Sequence, residues 1–127
     1  MSKMYLIFSH KLSEDQIDEA KSKFAIKEFI YLSSELQAIW SNVPPNCNDL
    51  DDWLSPLMHY LKNNICENDY VLIQGEFGST YKIVNLVKSL QAKAIYATTL
   101  RETIETTTTD GVLKQSIFKH CLFRFYS

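Results

Sequence analysis

The chain has 127 residues, 46% of them hydrophobic and 22% charged, the size and composition of one domain over residues 1–127. Its 13 Lys and Arg against 15 Asp and Glu leave a net charge of −2, without the basic excess of proteins that grip long nucleic acid. Apolar runs of about five residues fall far short of the ~20 that span a bilayer, and the first residues lack the apolar core and cleavage site of a secretory signal.

In chain order, Met4 to Phe8 reads as a buried strand. Ser13 with Gln16 three residues on forms a capping box, flanked by a Leu12–Ile17 staple, and predicts a helix to about Phe24 that buries Ile17, Ala20 and Phe24. A second strand over Glu28 to Leu32 precedes a short helix from Ser33 or Ser34 to Trp40, which Val43-Pro44-Pro45 ends. Leu50, Trp53, Leu54, Leu57, Met58, Leu61 and Ile65 share one helical face. Pro56 inside that pattern predicts that the main helix starts with Ser55 as its cap. Tyr70 to Gln74 is the third strand, Ser79 to about Leu90 a helix, and Lys93 to Thr98 the fourth strand. Asp110-Gly111 between strand-prone segments predicts a two-residue hairpin turn. The alternation specifies an α/β fold: a Rossmann-like, mainly parallel sheet with helices on both faces and a C-terminal antiparallel hairpin.

Ligands of open α/β sheets lie beyond the carboxyl ends of the strands. Those ends carry Ser9-His10-Lys11, then Gln74-Gly75-Glu76-Phe77-Gly78-Ser79-Thr80, then Thr98-Thr99 with Arg101. Two of the three glycines stand in one strand-to-helix turn, where glycine permits close backbone approach and a helix start aims N–H groups at an anion. A merely tight turn capped by Ser79 is the plain alternative, and Glu76 is either a site carboxylate or an exposed acid. The turn is neither a Walker loop nor Gly-x-Gly-x-x-Gly, so no dinucleotide cofactor is expected. His10 stands at the favoured ligand position or simply on the surface. Arg101 offers a planar fork to a phosphate, or an ion pair to Glu102 or Glu105. An unbulged Asp110-Gly111 turn sets Arg101 opposite His120, bringing a second imidazole to the same edge. His59 reads as a half-buried structural residue.

Cys47, Cys66 and Cys121 are odd in number and widely spaced, which predicts a reducing cytoplasm and no disulfide framework. No His/Asp/Glu pair has metal-ligand spacing, so no structural metal is expected, and no nucleophile elbow or strand-end cysteine points to covalent catalysis.

Phe8-Ser9-His10-Lys11-Leu12, Trp40-Ser41-Asn42-Val43-Pro44-Pro45, Gln74 to Thr80, and Tyr96-Ala97-Thr98-Thr99 with Arg101 resemble a small family of CRISPR-associated proteins. These are the stand-alone, Csx-type relatives of the CRISPR-associated Rossmann fold (CARF) of type III systems, and the likeness runs through the terminal Phe123-Arg124-Phe125-Tyr126. The resemblance implies a homodimer that binds a cyclic oligoadenylate, most often the tetra-adenylate, and linearises it without a metal by attack of a ribose 2′-hydroxyl on the adjacent phosphate. Carried onto this chain, it implies Ser9, His10 and Lys11 beneath the ring, phosphates on the Gly75–Thr80 turn, His10 as acid/base and Arg101 on the developing charge. Leu100 stands where a polar or basic residue is expected, which argues against two cations in that loop. The rival expectation is a module that sequesters the messenger uncut, and a third is a domain binding an unrelated nucleotide.

Overall fold

The computed structural model describes residues 2–127, in the order β1 (Lys3–Ile7), α1 (Glu14–Phe24), β2 (Glu28–Tyr31), α2 (Ser34–Ser41), α3 (Leu50–Asn64), β3 (Tyr70–Ile73), α4 (Phe77–Ser89), β4 (Lys93–Thr108) and β5 (Gly111–Phe125). One five-stranded mixed sheet runs β2-β1-β3-β4-β5, parallel except for the β4–β5 pair. The central strands β1 and β3 are buried on both faces, which is why they read as unbroken apolar runs.

Strand alternation divides the core in two. Tyr5, Ile7, Val71, Ile73 and Ala94 face α2, α3 and α4, where Trp40, Leu54, Leu57, Leu61, Ile83 and Val87 close the larger half. Met4, Leu6, Phe8, Leu72, Ile95 and Phe123 face α1 and its Ala20. The expected capping box at the start of α1 is present: Ser13 Oγ accepts from Gln16 N–H, and Gln16 Oε1 accepts from Ser13 N–H.

Three local expectations are corrected. First, α3 begins at Leu50 with Asp49 as its cap, not at Ser55, and runs through Pro56. Starting at Ser55 would leave Leu50, Trp53 and Leu54 outside the helical face that buries Leu57 and Leu61. Burying residues of that size is worth about 1.5–3 kcal/mol each, enough to offset the hydrogen bond and fit that proline costs a helix interior. Second, the cap of α4 is Glu76 rather than Ser79. Third, the hairpin register differs from an unbulged Asp110-Gly111 turn. Thr108 pairs with Gly111, so Thr109 and Asp110 form the turn, and a bulge between Thr98 and Thr99 leaves Cys121 unpaired on β5. Arg101 therefore faces Phe118, and His120 faces Thr99.

The bulge has a tertiary cause. His120 and Phe123 are three residues apart, so a regular strand would send them to opposite faces. Both instead point at α1, where Glu19 accepts the Phe123 N–H (2.9 Å) and contacts His120 Nε2. One extra residue makes that simultaneous contact feasible.

Candidate functional site

The order β2-β1-β3-β4 reverses direction between β1 and β3, so the loops leaving those strands diverge and open a crevice. A cleft of about 170 Å³ lies there, lined by Phe8, Ser9, His10, Gln74 and Gly75. The structure thus brings together Ser9 and His10 from the first strand end with Gln74 and Gly75 from the third. His10 is exposed, its ring edge-on to Phe8 at 6.3 Å. Ser9 Oγ lies 2.9 Å from Ser41 Oγ, tying this loop to the end of α2. Lys11 is exposed beside them.

Gln74 is the post between the two strand ends. Its N–H donates to Ile7 O, its carbonyl accepts from the Trp40 indole, and its side-chain Oε1 accepts from Ala97 N–H. The two glycines of the turn answer to packing. A Cβ on Gly75 would stand 2.7 Å from the Trp40 ring, and one on Gly78 would stand 2.8 Å from Leu50 Cδ1. Close approach is needed here, but by Trp40 and Leu50.

The helix start is also occupied. Glu76 accepts from Gly78 N–H (3.1 Å) and Ser79 N–H (2.9 Å), and these bonds hold its carboxyl below the ordinary 4.5. The positive end of α4 is thus served by the chain's own anion. Ser79 is fully buried, and the hydroxyls of Ser79 and Thr80 are buried without hydrogen-bond partners. An incoming phosphate meets Glu76 before it meets free N–H groups.

The remaining expected residues lie apart from this crevice. Thr98 Oγ1 bonds Leu122 at the bulge, and Thr99 is exposed opposite His120. Arg101 is four residues beyond Ala97, about 13 Å further along the strand. It donates from Nε and Nη2 to Ser116 Oγ and lies over the Phe118 ring, so neither Glu102 nor Glu105 is its partner; they pair with Lys119 and Lys114. His120 is buried against α1, on the sheet face opposite α4, and braces the hairpin. Burial opposes the charge of Glu19, but the Phe123 N–H, His120 and Lys23 outweigh it and hold its pKa down.

Two further clefts flank the same strand-end turn and add residues that the strand-end rule did not name. One of about 370 Å³ is lined by Val43, Pro44, Pro45, Cys47, Leu50 and Glu76, and one of about 310 Å³ by Gln74, Gly75, Phe77, Thr80, Tyr96 and Tyr126. Tyr96 was legible from alternation with Ala94, whereas Tyr126 reaches the site only through β5 pairing. Among the described residues, no three His, Cys, Asp or Glu side chains group as metal ligands, and no helix is long and apolar enough to cross a membrane. All three cysteines are free thiols.

A family model described as "Uncharacterized protein MJ1673 family" matches residues 2–124. "Uncharacterized protein MJ1673" of Methanocaldococcus jannaschii is 46% identical over 127 residues, covering 100% of this chain and 98% of that protein. No solved structure matches. The chain belongs to the MJ1673 family.

Proposed function

We propose that this protein is a CARF-like ring nuclease of the cytoplasm, acting on a cyclic oligoadenylate as a homodimer. The observation that carries the reading is the crevice at the β1/β3 reversal, where Ser9 and His10 share a cleft with Gln74 and Gly75. The CRISPR-associated resemblance supplies the ligand class, and cyclic tetra-adenylate is the favoured member. The ribose 2′-oxygen bonds to phosphorus in line as the bond to the 5′-oxygen breaks. His10 takes the 2′ proton and an acid returns one to the leaving oxygen, giving a 2′,3′-cyclic phosphate and a 5′-hydroxyl. Lys11 beside the cleft offsets charge on the phosphoryl oxygens.

The second copy is supported by the hairpin. Leu100, Ile104, Leu113 and Ile117 stand on it exposed, and a two-stranded ribbon is marginal alone in water. Residues 98–122 number about the 20–30 a side of a standard interface. Arg101 enters the chemistry only by reaching a neighbouring copy's ligand. One observation favours the sequestering alternative: His10 is exposed and packs edge-on against Phe8, with no carboxylate bonded to its ring among the described residues. Cyclic tetra-adenylate incubated with the protein in EDTA, beside His10→Ala, separates these readings by chromatography. Linear products from the wild type alone support the enzyme. An intact ring that co-elutes with both proteins supports sequestration, and a ring that neither binds nor cuts overturns both.

A further inference from the structure

The cleft of about 310 Å³ on the α4 side of Gln74 is built unlike its neighbours. Phe77, Tyr96 and Tyr126 supply three aromatic walls, and Gln74 and Thr80 supply its polar side chains. Its size is at the lower end of small-molecule sites. Both tyrosines are fixed through their hydroxyls: Tyr126 Oη donates to Ile73 O at 2.6 Å, and Arg124 Nη1 donates to Tyr96 Oη at 3.1 Å. Their ring centroids are 4.7 Å apart. Phe77, by contrast, is 92% exposed at the first turn of α4, with nothing of its own chain to cover it.

The polar groups select among occupants. Gln74 Oε1 is committed to Ala97 N–H, which fixes the amide and leaves Nε2 as a donor without a protein partner among the described residues. Thr80 Oγ1 is buried and unpartnered. A hydrocarbon in this cleft would leave the Gln74 donor unsatisfied, at a cost that disfavours it. A planar ring with hydrogen-bonding edges satisfies that donor while stacking on Phe77.

We propose that this cleft is a nucleobase subsite, with Phe77 as the stacking face, Tyr96 and Tyr126 as walls, and Gln74 Nε2 reading the base edge. It deepens the nucleotide reading above, on which it rests. The crevice at Ser9 and His10 shares Gln74 and Gly75 with it, so a phosphate in one and its base in the other straddle a single post.

Titration of the full chain with adenosine 5′-monophosphate, and separately with ribose 5-phosphate, tests the proposal. Phe77→Ala should weaken the monophosphate about 5- to 150-fold, the worth of one aromatic–base stack, and Phe77→Trp should retain it. Ribose 5-phosphate should bind weakly and indifferently to either change. An unchanged melting temperature for Phe77→Ala keeps folding out of the comparison. Equal monophosphate affinity in wild type and Phe77→Ala, no monophosphate binding at millimolar concentration, or equal binding of ribose 5-phosphate would each overturn the subsite. The two readings fail separately. Stack-dependent monophosphate binding with an uncut tetra-adenylate ring leaves the subsite standing without the nuclease. Cleavage indifferent to Phe77→Ala leaves the nuclease without the subsite.

Discussion

The four parallel strands and the projecting part of the β4–β5 hairpin share one strand, yet they are held by different means. Leu54, Leu57, Leu61, Leu72 and Ile73 in the body are fully buried, and β4 is flanked by β3 only from Lys93 to Ile95. Further out, β4 has β5 on one side alone, and the apolar residues of that ribbon are exposed: Leu100 56%, Leu113 49%, Ile104 42%, Ile117 36%. Salt bridges Glu102–Lys119 and Glu105–Lys114, the Arg101–Phe118 stack and ladder hydrogen bonds hold the arm. Exposed ion pairs contribute at most about 1 kcal/mol each, so hydrophobic burial stabilises the body while local pairing and register hold the arm. A fold can therefore keep its site rigid and still present a surface that its own chain does not satisfy.

The sharpest way to break this contrast is in the body. Trp40→Ala removes a nearly fully buried ring, the hydrogen bond to Gln74 O and the wall against Gly75; it should cost about 3–5 kcal/mol by denaturant unfolding. At the joint between the two regions, Glu19→Ala deprives the Phe123 N–H, His120 and Lys23 of their partner. About 2–3 kcal/mol should be lost, and amide exchange should rise selectively in residues 98–123.

At the crevice, Glu76→Ala should cost about 1 kcal/mol by uncapping α4. Because the folded pKa of Glu76 is depressed, its contribution is present above the ordinary 4.5 and is lost as pH falls through the folded value. The wild-type advantage should therefore shrink below about pH 4.5, which thermal melts at pH 7 and pH 3 read directly. At the arm, Leu113→Ser should shift unfolding of the dilute protein by no more than about 0.5 kcal/mol. If a second copy covers the arm, sedimentation at high concentration should show the variant less associated than the wild type. An equal loss at Leu113 and Trp40 would erase the distinction.

The body was legible because its signals are local. Ser13 and Gln16 cap α1 through neighbouring atoms, and the apolar runs of β1 and β3 follow from burial on two faces. The start of α3 was missed because a local rule about Pro56 yielded to burial of Leu50 and Trp53 against distant elements. The cap of α4 was missed because Glu76, a longer and less usual cap than Ser79, takes the first N–H groups. The strand-end rule brought Ser9, His10, Gln74 and Gly75 together. The hairpin register expected from Asp110-Gly111 failed for His120, whose orientation depends on a bulge and on a carboxylate of α1 that no local pattern reveals.

That carboxylate also bears on how the molecule comes to be folded. Glu19 reaches His120 and Phe123 across sequence separations of 101 and 104 residues. Contacts of that separation are made only after the intervening chain has closed, at an entropic cost. Until then Glu19 lacks its two β5 partners, and the edge of β4 stays open to any passing strand. The contact thus ties the first helix to the last strand. Slow closure of this one joint is the step that a folding experiment on this protein should find last.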